Sequence, residues 1–109
     1  MAKFMYLGKY TAEGLKGLVA EGGTRRRTAT ERLIGSIGGT ILEYSFAVGE
    51  YDFVLIVEVA DNAAGLIAPI LTGASGTVRV LTVPLVTPQQ IDEVCARIPS
   101  TSFRPAGQS

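Results

Sequence analysis

Apolar positions along the chain change period several times, and each change marks an element. Lys3 to Tyr10 is dense in aromatic and aliphatic residues and is closed by Thr11, a helix-capping residue type, so a strand is predicted to pass into a helix. From Thr11 to Gly38 the apolar residues take helical spacing: Leu15, Leu18 and Val19 in one piece, Ala29, Leu33 and Ile37 in another. Gly22-Gly23 separates the two pieces and predicts a break, since glycine costs roughly 1 kcal/mol relative to alanine inside a helix. Gly38-Gly39 ends the helical region. Thr40 to Val48 and Asp52 to Ala60 read as two strands joined tightly enough by Gly49-Glu50-Tyr51-Asp52 to form an antiparallel hairpin. Asp61 or Asn62 caps a helix to about Ala74, which packing must hold because Gly65, Pro69 and Gly73 give it poor propensity. Thr77 to Val86 is a last strand, with Pro84 marking an edge position or the strand's end. Thr87, Pro88 and Gln90 then make a capping-box start for a final helix with the stripe Ile91, Val94, Cys95 and Ile98, stopped by Pro99.

The order β-α-β-β-α-β plus a helix is the ferredoxin-like split arrangement: an α+β fold with a four-stranded antiparallel sheet and helices on one face. Residues 1–99 form one domain, and 100–109 a polar tail that is either disordered or laid on a neighbour. Pairing Val48 with Phe53 sets Leu42, Tyr44, Phe46, Val48, Phe53, Leu55, Val57 and Val59 on one face of the hairpin. The other face still carries Ile41, Val54 and Ile56 among its polar residues. A half-solvated antiparallel sheet alternates apolar with polar more cleanly, so the pattern predicts a homo-oligomer, a dimer first of all, packed sheet on sheet. The competing reading is a monomer with an unusually apolar solvated face.

Charge and composition narrow the partners. Ten basic residues balance ten acidic ones, which leaves no net field to draw the chain onto nucleic acid or an anionic membrane. An RNA-binding reading also needs exposed aromatics amid basic residues on the central strands and an RNP pattern, which is absent. The apolar run Phe53 to Val57 is too short to cross a bilayer, and the amino terminus lacks the features of a secretory signal, so the expected location is cytoplasmic. One cysteine, Cys95, excludes an internal disulfide framework and is most simply a buried small hydrophobe. Without histidine there is no histidine-held haem and no zinc site of the usual kind, and no cofactor is called for; a carboxylate-only magnesium or calcium site stays open.

Gly49-Glu50-Tyr51-Asp52 resembles the Gly-x-Tyr-Asp motif of GYD-domain proteins, and Tyr10 to Leu18 resembles that family's first strand-to-helix junction. The likeness extends over nearly the whole chain. It implies a bacterial protein of the dimeric α/β barrel type, and it implies no reaction and no catalytic residues.

Candidate chemistry follows from individual side chains. Tyr51 and Asp52 place a phenol beside a carboxylate, able to orient or protonate a small ligand; the competing and favoured reading is a turn, in which Gly49 takes a positive dihedral and Asp52 bonds nearby amides. Glu43 and Glu58 fall opposite each other in the register above, and a close acid pair raises one pKa. Solvation, or pairing with Lys3, Lys9 or Arg79, is the favoured alternative for both. Arg79, between Val78 and Val80, is placed to reach a pocket or interface, and Arg25-Arg26-Arg27 marks either an anion contact or a solvated face. Tyr6, Tyr10, Tyr44 and Phe46 are either core or cavity lining. The leading expectation is an oligomeric domain with a small-molecule pocket between sheet and helices near Tyr6, Tyr51, Asp52 and Arg79, binding its ligand or acting on it without a cofactor. The alternative is a non-catalytic interaction or regulatory protein whose apolar sheet face serves assembly; a cavity lined by mixed polar and apolar groups distinguishes the two.

Overall fold

The structure is a computed structural model and describes residues 1–108. Four strands, β1 (Ala2–Tyr10), β2 (Thr40–Phe46), β3 (Phe53–Val59) and β4 (Val78–Leu85), form one antiparallel sheet in the order β2-β3-β1-β4. Helices α1 (Ala12–Glu21) and α2 (Gly23–Ser36) connect β1 to β2, α3 (Asn62–Ala74) connects β3 to β4, and α4 (Pro88–Arg97) follows β4 and runs into a 3-10 turn at Ile98–Ser100. This is the α+β, ferredoxin-like order that the periodicity predicts, with the added C-terminal helix. Among the described residues no helix is long and apolar enough to cross a membrane.

Local chemistry sets the boundaries. The Thr11 side chain accepts from the Gly14 amide to start α1, and Asp61 accepts from the Ala64 amide at 2.9 Å to start α3. Gly22, at φ +82°, ends α1 and begins α2, so the glycine pair breaks the helical region where expected. Thr87 and Gln90 close both hydrogen bonds of the capping box at α4.

The core lies between the sheet and the α2/α3 layer. Phe4 and Tyr6 of β1, Phe53, Leu55, Val57 and Val59 of β3, and Val78 of β4 pack against Ile34 of α2 and Ala68 of α3. Burying such a side chain is worth roughly 1.5–3 kcal/mol, which is why the weak-propensity α3 holds. Its close approach depends on Gly65: a Cβ there would sit 2.0 Å from the Phe4 ring.

Pro69 adds a second constraint. Inside a helix it lacks the amide that would bond the carbonyl four residues back, which here belongs to Gly65. The buried Tyr6 hydroxyl donates to that Gly65 carbonyl at 2.5 Å. A strand side chain thus replaces the helix donor that the proline removes, tying α3 to β1.

The hairpin register differs from expectation by two residues. Phe46, not Val48, pairs with Phe53, and Val48 stands fully exposed in the connecting loop. The Ala47 amide closes that loop by donating to the Asp52 carbonyl at 2.8 Å. A bulge between Ile41 and Glu43 shifts the far end again, so Ile41 faces Val57 and packs on the core while Leu42 is left 51 % exposed. Glu43 therefore lies opposite Ile56, and Glu58 opposite Thr40 on one side and Lys3 on the other. The facing acid pair predicted from the simple register is not formed, because the longer loop and the bulge move the two strands relative to each other.

Alternation leaves the sheet face away from the helices bare. Its central strands carry Met5 and Leu7 of β1 and Val54 and Ile56 of β3, and the edge strand β4 adds Leu81, Val83 and Leu85. Lys3, Lys9, Arg79, Glu43 and Glu58 rim it.

Candidate functional site

A cavity of about 140 Å³ opens between the sheet and helices α2 and α3. Its floor is apolar, built by Phe53, Leu55, Val78 and Val80 from the strands, with Leu33, Ile34 and Ala68 from the helices. Its polar lining is Tyr6, Tyr10, Tyr44 and Arg26 with the threonines Thr30, Thr72 and Thr77. The position of these groups follows from the fold: every second residue of β1 faces the helices, so Tyr6 and Tyr10 lie on one line, and β2 presents Tyr44 opposite Leu55. Tyr10 and Tyr44 flank Phe53, with ring centroids 5.3 and 6.4 Å from it.

The polar groups are not equivalent. Tyr6 already donates to Gly65, Thr30 to the Arg26 carbonyl at 3.0 Å and Thr72 to the Ala68 carbonyl at 2.7 Å. Arg26 pairs through Nε with Glu21 at 3.0 Å, leaving the rest of its guanidinium fork available. Burial pushes the Tyr10 phenol far above its ordinary value, and the Tyr44 hydroxyl beside it acts in the same direction. Burial also raises Tyr6. Tyr10 is thus a neutral hydrogen-bonding group throughout the physiological range. Together Tyr10, Tyr44 and Arg26 form a donor-rich rim over an apolar pit.

At the end of the sheet where β1 leads into α1, the loop 47–52 is fastened by Asp52. Its amide donates to the Gly8 carbonyl at 2.7 Å, and its carboxylate accepts from the Tyr10 amide at 2.8 Å and lies 3.5 Å from Lys9 Nζ. Lys9 Nζ also reaches the Gly49 carbonyl, at 3.4 Å, and Gly49 has φ +148°, which a side chain disfavours. The family model of the GYD domain matches residues 4–95, from the first core residue of β1 to the last turn of α4. The chain belongs to the GYD-domain family. No curated protein and no solved structure matches it.

In this GYD domain the Gly49-Glu50-Tyr51-Asp52 segment is a clasp between the hairpin loop and the end of β1. Asp52 holds the backbone of Tyr10, whose side chain lines the cavity; Tyr51 and Asp52 themselves are not in the lining. Of the residues named from sequence for a pocket, Tyr6, Tyr10 and Tyr44 are brought together, whereas Phe46 lies outside, packed on Tyr44. Arg79 is exposed on the bare face, cross-strand from Lys9. Among the described residues it has no ion pair with Glu43 or Glu58. Within the arginine triplet, Arg27 is exposed and lies 4.0 Å from Glu31, Arg25 is exposed, and Arg26 reaches the cavity. A triplet on a helix points three ways at about 100° intervals, so one member facing the sheet is a signal that periodicity contains.

Proposed function

We propose that this GYD domain is an oligomeric small-molecule-binding domain, with the ligand in the Tyr10–Tyr44–Arg26 cavity and the subunits joined through the bare sheet face. The cavity carries the reading: an assembly module has no use for hydroxyls and a guanidinium converging over an apolar pit, where each desolvated donor is a cost until a ligand meets it. An engineered apolar cavity of ~150 Å³ accommodates benzene, so a space of about 140 Å³ fits an apolar body no larger than one ring. The rim adds a requirement for an acceptor group, carbonyl or carboxylate, facing Tyr10, Tyr44 and Arg26. Single-ring and short branched carbonyl and carboxylate compounds are therefore the class to test, by thermal shift, against the parent chain and Ala29→Leu, which fills the cavity from α2. Stabilisation of the parent and none of the variant supports the site. Equal shifts in both place binding elsewhere.

The oligomer half of the reading is supported by seven large apolar side chains, four on the two central strands and three on the edge strand β4, across a sheet face that no helix covers. A charged rim around an apolar centre is the usual anatomy of an interface.

A further inference from the structure

The C-terminal helix is capped at both bonds of its box, yet none of its residues is buried. Ile91, Val94 and Ile98 stand 47, 53 and 60 % exposed along one stripe. A ten-residue helix is marginal in water by itself and draws its stability from packing an apolar face, so this stripe requires a cover. A second uncovered stripe lies on α3. That helix has no charged residue over its whole length, and while Gly65 and Ala68 face the core, Leu66, Ile67, Ile70 and Leu71 face outward at 43–69 % exposure.

We infer that α4 of one copy of this chain packs its Ile91–Val94–Ile98 stripe on the outer face of α3 of a second copy. The two stripes match in kind and extent. Both follow helical spacing, and they run over helices of ten and thirteen residues, roughly 15 and 20 Å long. The acidic and basic groups of α4, Asp92, Glu93 and Arg97, fall outside the stripe, so joining it to the uncharged α3 desolvates no unpaired charge. The exposed parts of these seven side chains amount to roughly 700 Å², and two contacts related by a twofold axis to roughly 1,400 Å², within the size range of stable interfaces. Two residues, Val86 and Thr87, separate β4 from α4, and the helix packs appreciably only on the 3-10 turn that follows it, so it projects from the sheet as an arm suited to exchange. This contact uses the helix side of the domain and is independent of the bare sheet face and of any ligand in the cavity.

Cys95, exposed beside the α4 stripe, supplies a native reporter. The test adds one thiol to the full chain, Ile70→Cys on α3, and treats it with a short bismaleimide, with circular dichroism confirming that the fold is unchanged. The inference predicts a product of twice the chain mass. That product is absent from the parent, from Ile70→Cys combined with Cys95→Ser, and from a chain carrying Lys16→Cys on the exposed face of α1 instead. Cross-linking within a single chain, without doubling of mass, would overturn it by placing α4 on its own α3. Absence of any product, or an equal product in the Cys95→Ser or Lys16→Cys chains, overturns it as well.

Discussion

Replacing Tyr6 with Phe removes one oxygen and leaves the ring, so the packing around Phe4 and Leu55 is kept while the Gly65 carbonyl loses its donor. In an ordinary helix that loss would be minor, because the carbonyl would be bonded by the amide four residues on. Here that residue is Pro69, and the carbonyl is left buried without a partner. An unsatisfied buried group costs about 1–3 kcal/mol, which for a domain of this size lowers Tm by roughly 5–15 °C. The decisive comparison is a double-mutant cycle with Pro69→Ala, which restores an amide to the helix. In that background the carbonyl has its helical donor again, and Tyr6→Phe should cost less than about 1 kcal/mol. Urea unfolding of the four proteins, with midpoint and slope both measured, gives the coupling. If Tyr6→Phe costs the same with and without the proline, the hydroxyl is not compensating for Pro69.

Further outcomes follow from the same geometry. Asp52→Ala should lower stability by about 1–2 kcal/mol, because the Tyr10 amide and Lys9 lose their acceptor, while Asp52→Asn keeps an acceptor oxygen and recovers most of the loss in denaturant unfolding. A variant that stays as stable as the parent would return Asp52 to the list of ligand-binding candidates. At alkaline pH, Tyr6 and Tyr10 hold their protons more tightly in the folded state than the ordinary value of 10.0, so their contribution is fully present below about pH 10 and declines as pH rises beyond it. Tyr10→Phe should flatten that decline in chemical denaturation; an unchanged slope would show that Tyr10 titrates alike in both states. If the bare face joins the subunits as proposed, Ile56→Lys, between Glu43 and Met5, should give a smaller species than the parent in sedimentation, whereas an unchanged mass would remove that face from the proposed assembly.

The fold was largely legible because its signals are local. Strand and helix alternate with clear changes of period, and the caps at Thr11, Asp61 and Thr87 all act as their residue types predict. The hairpin register was not legible for a specific reason. Gly49-Glu50-Tyr51-Asp52 reads as a four-residue turn, but Ala47 and Val48 also leave the ladder, and Leu42 is an extra residue in β2; neither departure changes the hydrophobic pattern enough to be seen. The acid pair of Glu43 and Glu58 depended on that register and went with it. Tyr6, Tyr10 and Tyr44 were identifiable as inward-facing by alternation alone, whereas the convergence of Arg26 with them depends on how α2 lies across the sheet, a tertiary fact. Likewise the link between Pro69 and Tyr6 joins residues whose partner, Gly65, lies 59 positions from Tyr6, beyond any local pattern.

Nuclear magnetic resonance titration of the tyrosine rings with benzoate and related single-ring carboxylates reads binding in the Tyr10–Tyr44–Arg26 cavity at the residues proposed to hold the ligand. Saturable shifts of the Tyr10 and Tyr44 ring signals are expected, disappearing in Ala29→Leu, with the Tyr51 ring unmoved. Shifts that persist in Ala29→Leu, or that fall on Tyr51 and spare Tyr10 and Tyr44, would contradict binding in that cavity.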